Sequence, residues 1–392
     1  MAPVAEPADT FAGFDASRVP SPCFVLDLAK LEDNLKILKA IAEGSSAKVL
    51  LALKAFSCFA VADLVSAHLH GTAASGLWEA RLGRTRFGGD VHTFAPGLKA
   101  GELDELISLS DHLIFNSLGQ WERFGGRPGC AAGLRINPRH SEVATPLYDP
   151  CAPWSRLGVT AEQLGDRLPD GISGLHVHAL CDQGFEPFDR LLAATEEKFS
   201  GHFGQISWLN LGGGQLLTAP DYPVDRLVER LKNLRARTGL DVYLEPGTAV
   251  ALNAGGLVTQ VLDTGSAEGH FAITDASATC HMPDVIEAPY TPKIYGAEIV
   301  EDAGASESKD PCVIRLGGPT CLAGDVIGTY RFARPLEVGE RLMIADQAYY
   351  TMVKASTFNG TPLPGIALWD PRSDEVEMVR QFDYEAFESR LS

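Results

Sequence analysis

The sequence predicts a (β/α)8 barrel of the TIM type followed by a C-terminal β-rich domain, sandwich-like or barrel-like. Three observations carry that expectation. Short apolar runs recur eight times, at 49–53, 71–75, 91–95, 112–116, 132–137, 172–178, 206–211 and 241–245. Stretches with helical apolar spacing lie between most of them, as at 103–109, 188–199 and 224–238, and such alternation is the pattern of a parallel sheet closed on itself. From about residue 270 long helical patterns stop and strand-like runs follow one another, at 271–275, 312–316, 325–332 and 341–345. A doubly wound open sheet is the alternative for the first part.

Taken in order, residues 1–20 are rich in Ala and Pro without a basic cluster or an apolar stretch, and read as a loose arm rather than a signal peptide or membrane span. Cys23-Phe-Val-Leu-Asp27 reads as a strand, and Leu28, Leu31, Leu35, Leu38 and Ala42 mark a helix after it. The barrel domain is expected over 21–268 and the β-rich domain over 269–392, with the strand at 21–27 a candidate to join the latter. Residues 301–310, polar with Gly and Ser, read as a solvated loop.

Composition narrows the function. Hydrophobic residues at 45% and charged residues at 21% suit an ordinary globular protein. A net charge of -18 argues against nucleic acid, which needs a basic footprint, and favours small cationic molecules. The eight cysteines never fall as C-x-x-C, so neither a disulfide framework nor a metal site is expected, and a reducing cytoplasm is the default.

Barrel enzymes place their chemistry where strands end. The ends here are Lys54, Ser75, Asn116, Arg135 with Asn137, His178, Gly212-Gly213-Gly214 and Glu245, polar or glycine where the preceding runs are apolar. A lysine at a barrel mouth condenses with carbonyls, and the commonest partner is pyridoxal phosphate. That cofactor asks for backbone N–H groups at its phosphate, which Gly212 to Gly214 offer after strand seven. It asks for a flat group on its ring, which His178 offers, and for a carboxylate at its ring nitrogen, which Glu245 offers. A carboxylate there makes a strong electron sink and points to decarboxylation; an arginine would suit a racemase.

With these residues in view, the chain resembles the alanine racemase-like, fold type III pyridoxal phosphate decarboxylases, in the branch acting on carboxylated polyamines such as carboxynorspermidine and carboxyspermidine. The similarity runs from about residue 22 to 370, with its most specific motifs Leu50-Leu-Ala-Leu-Lys-Ala-Phe56, Phe115-Asn-Ser117, Tyr148-Asp-Pro-Cys-Ala-Pro153, Ser155-Arg-Leu-Gly-Val159, Asp275-Ala-Ser-Ala-Thr-Cys-His-Met-Pro-Asp284, Gly317-Gly-Pro-Thr-Cys-Leu-Ala-Gly-Asp-Val-Ile-Gly328 and Thr357-Phe-Asn-Gly360. The resemblance implies a head-to-tail homodimer with shared active sites. It implies Lys54 as the cofactor lysine, Arg135, His178, Gly212 to Gly214, Glu245 and Tyr350 as cofactor-binding, and Cys321 as a proton donor supplied by the neighbouring subunit. It also implies Asp284 as the contact for the far amine, with Asp325, Thr248 and Asp275 in the substrate site. Leu322 after the cysteine disfavours ornithine and diaminopimelate. Two positions depart from the branch: Thr248 replaces a glutamate in the Glu245-Pro-Gly-Thr248 run, and Gln215 with Leu216 replace histidines after the glycines. A related conjugated amino acid as substrate, a racemase and an inactive cofactor carrier are the alternatives.

Overall fold

The computed structural model describes residues 10–127, 129–301 and 309–392. They fall into two units, Asp33–Val250 and Ala251–Ser392, the latter joined by the described residues as far as Glu32. Strand β1 (Cys23–Asp27) belongs to the second unit, and helix Leu28–Ser45 follows it.

In the first unit β2 (Lys48–Ala52), β3 (Gly71–Ala74), β4 (Asp90–Phe94), β5 (His112–Phe115), β6 (Ala131–Arg135), β7 (Ile172–His176), β8 (Trp208–Asn210) and β9 (Asp241–Leu244) pair in sequence order. All pairs are parallel, and β9 returns to β2 through Lys48 opposite Tyr243 and Val49 opposite Leu244. That last pairing closes the barrel and removes the open-sheet alternative. Each strand overlaps one of the apolar runs, because strands buried on both faces carry few polar positions. Inside, Leu50, Ala73, Ile114, Trp208 and Tyr243 pack together. The Trp208 indole lies so close to Gly133 and Gly174 that a Cβ would meet it at 2.3 and 1.9 Å, so these two strand positions have room only for glycine.

The second unit is built on one sheet. Its further strands are β10 (Gly255–Ser266), β11 (His270–Thr274), β12 (Ala297–Ile299), β13 (Val313–Gly317), β14 (Val326–Phe332), β15 (Arg341–Ala345), β16 (Gly365–Asp370) and β17 (Glu375–Arg380). The order is β12-β14-β13-β11-β10-β1-β16-β17, with β15 also paired to β10. The long β10 is the organising strand: residues 255–260 pair with β1 and β15, and from Val261 onward it pairs with β11, with a register shift between Val261 and Asp263. The units therefore divide at Val250, ahead of the expected boundary at 268, because β10 hydrogen-bonds into this sheet rather than the barrel.

The N-terminal stretch also differs from a loose arm. Residues 1–9 lie outside the described residues, but Phe11 and Val19 are buried with Cys23, Val25 and Trp369, and the Phe11 ring stacks on Trp369 at 5.6 Å. Aromatic burial of this kind anchors residues that composition alone marks as unstructured. The solvated loop expected at 301–310 lies for the most part, at 302–308, outside the described residues.

Candidate active site

The ends of β2, β6, β7, β8 and β9 carry most of the expected residues, and the first unit brings them into one electrostatic environment. Lys54 follows β2, and its side chain opens to solvent, yet the walls around it lower its pKa by desolvation while Glu245 pulls the other way and Arg135 adds to the lowering. A lysine so placed yields free amine more readily than a surface lysine.

Glu245, the residue after β9, is the anion of the site. His176 Nε2 lies 3.3 Å from its Oε2, and Asn210 Nδ2 donates to its Oε1 at 2.7 Å. Burial pushes its pKa up, but His176, His92 and the Asn210 amide outweigh this and bring it to about 2. Burial pushes His176 down. Near neutral pH the pair is therefore a neutral imidazole donating to a carboxylate, consistent with His176 Nδ1 having no partner.

His178 stands two residues past β7 with its ring parallel to His176, 4° between planes and 6.4 Å between centroids. Its Nδ1 accepts from Gly213 N–H at 3.0 Å, which fixes the tautomer with the proton on Nε2. Burial, then the charges of Lys54 and Arg135, hold its pKa well below the histidine range, so the ring is neutral and flat. Arg135 ends β6 over the Phe94 ring at 4.6 Å and donates to His178 O at 2.9 Å; burial lowers its pKa to about 10.

The glycine run is packed against backbone rather than open space. A Cβ on Gly213 would meet Glu245 O at 2.0 Å, and one on Gly214, at φ 88°, would meet Leu180 O at 2.1 Å. This corrects one expectation. The N–H of Gly212 is taken by Asn210 Oδ1 at 2.8 Å and that of Gly213 by His178, so two of the three glycines have no donor left for an anion. The N–H groups of Gly214 and Gln215 have no hydrogen-bond partner among the described residues and form the usable pair. The Gln215 side chain turns inward, its Oε1 accepting from Tyr222 Oη at 2.5 Å. Thr248 is buried at the start of helix Thr248–Ala251 and brings a hydroxyl, not a charge, to the run after Glu245.

Ser75, Asn116 and Asn137 are structural. Asn116 Oδ1 accepts from Gly158 N–H and its Nδ2 donates to Arg156 O, while Asn137 Nδ2 donates to Leu157 O, pinning the 150–158 loop; Ser75 N–H donates to Glu79.

The remaining candidates belong to the second unit. Asp325 is buried, and its carboxylate accepts from Ser277 Oγ, Thr279 N–H, Thr320 N–H and Thr320 Oγ, which leaves it no free edge for a substrate amine. Asp275 Oδ1 likewise accepts from Ser21 Oγ, Thr259 Oγ1 and Gln260 N–H. Asp325 is thus engaged on both oxygens, whereas the Asp275 contacts all fall on Oδ1, and both carboxylates serve as structural ties. Asp284 holds the Lys354 ammonium at 2.6 Å, together with Glu287 at 2.7 Å. Cys321 is exposed, in the loop that Asp325 closes, beside Leu322 at 44% exposure. Tyr350 adopts φ 53°, a conformation that side chains seldom take.

Three residues of the site escaped sequence reasoning: Asn210, His176 and His92. Each is a polar side chain inside an otherwise apolar barrel strand and is buried, and that interruption was the available signal.

The residues test well against pyridoxal phosphate: a lysine of lowered pKa, a neutral flat imidazole, an ionised carboxylate and two adjacent free N–H groups share one barrel mouth. The family model of pyridoxal-dependent decarboxylases, C-terminal sheet domain, matches residues 23–348. A carboxyaminopropylagmatine decarboxylase of Synechocystis is 42% identical over 380 residues, 96% of each chain. A carboxynorspermidine/carboxyspermidine decarboxylase of Campylobacter jejuni is 39% identical over 378 residues, 95% of this chain and 99% of that one. The crystal structure of carboxynorspermidine decarboxylase from Campylobacter jejuni, complexed with norspermidine, superposes with a TM-score of 0.87 at 38% identity, covering 95% of this chain and all of that one.

Proposed function

Because the chain belongs to the pyridoxal-dependent decarboxylases with a C-terminal sheet domain, we propose that it binds pyridoxal phosphate at the barrel mouth and removes the carboxylate from an L-amino acid carrying a long cationic amine substituent. The leading substrates are carboxynorspermidine and carboxyspermidine. The observation that carries the reading is Glu245: an ionised carboxylate, held by His176 and Asn210, in the electrostatic reach of Lys54.

Lys54 would hold the carbonyl end of the cofactor, His178 would face its ring, the Gly214 and Gln215 N–H groups would take its phosphate, and Glu245 its ring nitrogen. When bound, pyridoxal phosphate supplies the sink for the electron pair left on Cα as carbon dioxide departs. The protein's own residues do the rest. Lys54, its pKa lowered by desolvation, would present the free amine that holds the cofactor. Glu245 stays ionised across the neutral range and keeps a proton on the ring nitrogen. Burial keeps the His178 imidazole neutral, and the charges of Lys54 and Arg135 beside it add to that effect. The bond from Cα to the carboxylate breaks, carbon dioxide leaves, and Cα takes one proton from Cys321 or Lys54, so the product is the amine with hydrogen where the carboxylate was. Cys321 is supplied by a second copy of the chain in a head-to-tail dimer. We take the setting to be cytoplasmic; no helix among the described residues is long and apolar enough to cross a membrane.

A second reading has its own support. Thr248 lacks the carboxylate that would pair with a substrate amine, and the Synechocystis relative is named for an agmatine conjugate, whose distal group is a guanidinium. Carbon dioxide release from carboxynorspermidine, carboxyspermidine, carboxyaminopropylagmatine, ornithine, lysine and meso-diaminopimelate, measured side by side, separates the two. Preference for the first two substrates supports the leading reading, preference for the third the second reading. Release from none of the three removes the polyamine assignment.

A further inference from the structure

Asn210 sits at the end of β8 with no solvent exposure, and each polar atom of its amide has a defined partner. Oδ1 accepts from Gly212 N–H at 2.8 Å, and Nδ2 lies 2.7 Å from Glu245 Oε1 and 3.2 Å from His92 Nδ1. The orientation admits no flip, since a reversed amide would put its oxygen against a carboxylate and its NH2 against an N–H. His92, 1% exposed on β4, is packed between His112 at 4.0 Å and Tyr243 at 4.4 Å. Its Nδ1 takes the second Asn210 hydrogen, so the ring is the Nε2–H tautomer, and Nε2 has no partner. Burial, then His112, holds the His92 pKa well below the histidine range, so this acceptor stays available at any neutral pH.

We propose that Asn210 is a positioning residue that couples the glycine run to Glu245, and that His92 sets the direction of its amide. One side chain thereby fixes the first glycine of the loop and supplies one of the two hydrogen bonds that orient the Glu245 carboxylate and keep it ionised. The charged and titratable groups facing Glu245 are His176 on β7, His92 on β4, Lys54 after β2 and Arg135 on β6. Of its hydrogen-bonding neighbours only Asn210 donates without ever titrating. The inference rests on the cofactor reading given above, because Glu245 matters through the ring nitrogen it serves.

Asn210→Asp separates the two duties. An aspartate still accepts from Gly212 N–H, but it offers Glu245 no hydrogen and sets a second negative charge beside it. The pair then retains a proton to higher pH. In N210D the acid limb of the kcat profile is expected to move up by about one pH unit or more, with KM within about threefold of wild type. Pyridoxal phosphate affinity, read by quenching of tryptophan fluorescence, is expected to be nearly flat from pH 8 to 6 in the wild type and to fall about tenfold over that range in N210D. His92→Phe, which keeps the ring packing but removes the acceptor, is expected to move both in the same direction by a smaller amount, and it stands in if N210D fails to fold. Acid limbs and affinity profiles like wild type in both variants, with only a lower melting temperature, overturn the proposal. A wild-type protein that binds no pyridoxal phosphate overturns the cofactor reading itself, and the two failures are thus distinct.

Discussion

Glu245 in the barrel and Asp325 in the sheet unit are both carboxylates withdrawn from water, and they are held in opposite ways. Glu245 receives two side-chain contacts, one to each oxygen, and keeps 12% of its side chain open. Asp325 receives donors from Ser277, Thr279 and Thr320 on both oxygens, and Gly318 packs so closely that a Cβ there would touch its carboxylate at 2.3 Å. A buried anion needs compensation in either case. What differs is whether the compensation leaves an edge for chemistry. At the barrel mouth it does; in the knot that closes the Cys321 loop it does not. Burial and charge alone therefore do not mark a functional carboxylate.

The largest effect belongs to the mouth. Lys54→Ala is expected to lower turnover by roughly 10³-fold or more and to abolish the absorbance of lysine-linked pyridoxal phosphate, since the linkage is proposed at this lysine alone. A variant that keeps that absorbance would place the linkage elsewhere.

The two carboxylates then part company. Glu245→Gln is expected to cost about 10²-fold in kcat with stability changed by only about 1 kcal/mol, because the amide keeps an oxygen for Asn210 and His176 can switch tautomer to accept. Asp325→Ala is expected to destabilise by roughly 3 kcal/mol, since it strands buried hydroxyl and N–H donors, while kcat per folded molecule changes little. Denaturant titrations beside kinetics read both, and a D325A protein of normal stability with a raised KM for the amine would return Asp325 to the substrate site. The pH dependence follows the same divide. Glu245 has a folded-state pKa taken from 4.5 to about 2, so its contribution to stability is present above 4.5 and drains away as pH falls toward 2. Melting temperature against pH is expected to flatten over that window in E245Q.

The same contrast explains what could be read in advance. The barrel was legible because each strand is a short, mainly apolar run and the expected site residues stand at strand ends, a position that period and polarity mark together. Lys54, His178 and Glu245 follow from that rule. Asn210, His176 and His92 do not: a polar residue within or closing an apolar run is a weak local signal, and the partners that give it meaning at Glu245 and across the barrel lie 35 to 118 positions away in the chain. The sheet unit was less legible. β10 reads as a continuation of the barrel until its partners are known, and β1 reaches the same sheet from the other end of the chain. Asp325 has the residue type of a substrate contact, and only the donors on both of its oxygens show how fully it is engaged.

The smallest expected effect probes the acidic pair that is neither open like Glu245 nor closed like Asp325. Asp284 and Glu287 share the Lys354 ammonium, with side-chain exposures of 23%, 52% and 29%. Such half-solvated pairs contribute little to stability, so Lys354→Met is expected to change it by less than about 1 kcal/mol. Its effect on binding has a definite sign. If Asp284 takes the far amine of the substrate, that amine competes in the wild type with an ammonium already in place, and removing the resident cation strengthens the pull on the incoming one. Discounted for solvent screening, the gain is a two- to fivefold fall in KM, about 0.5–1 kcal/mol. The fall should shrink as ionic strength rises, because the attraction is between partly exposed charges. A KM that rises in K354M, or that ignores salt, would show that Lys354 orders helix Asp284–Glu287 rather than occupying its substrate's place, and would move the amine contact away from Asp284.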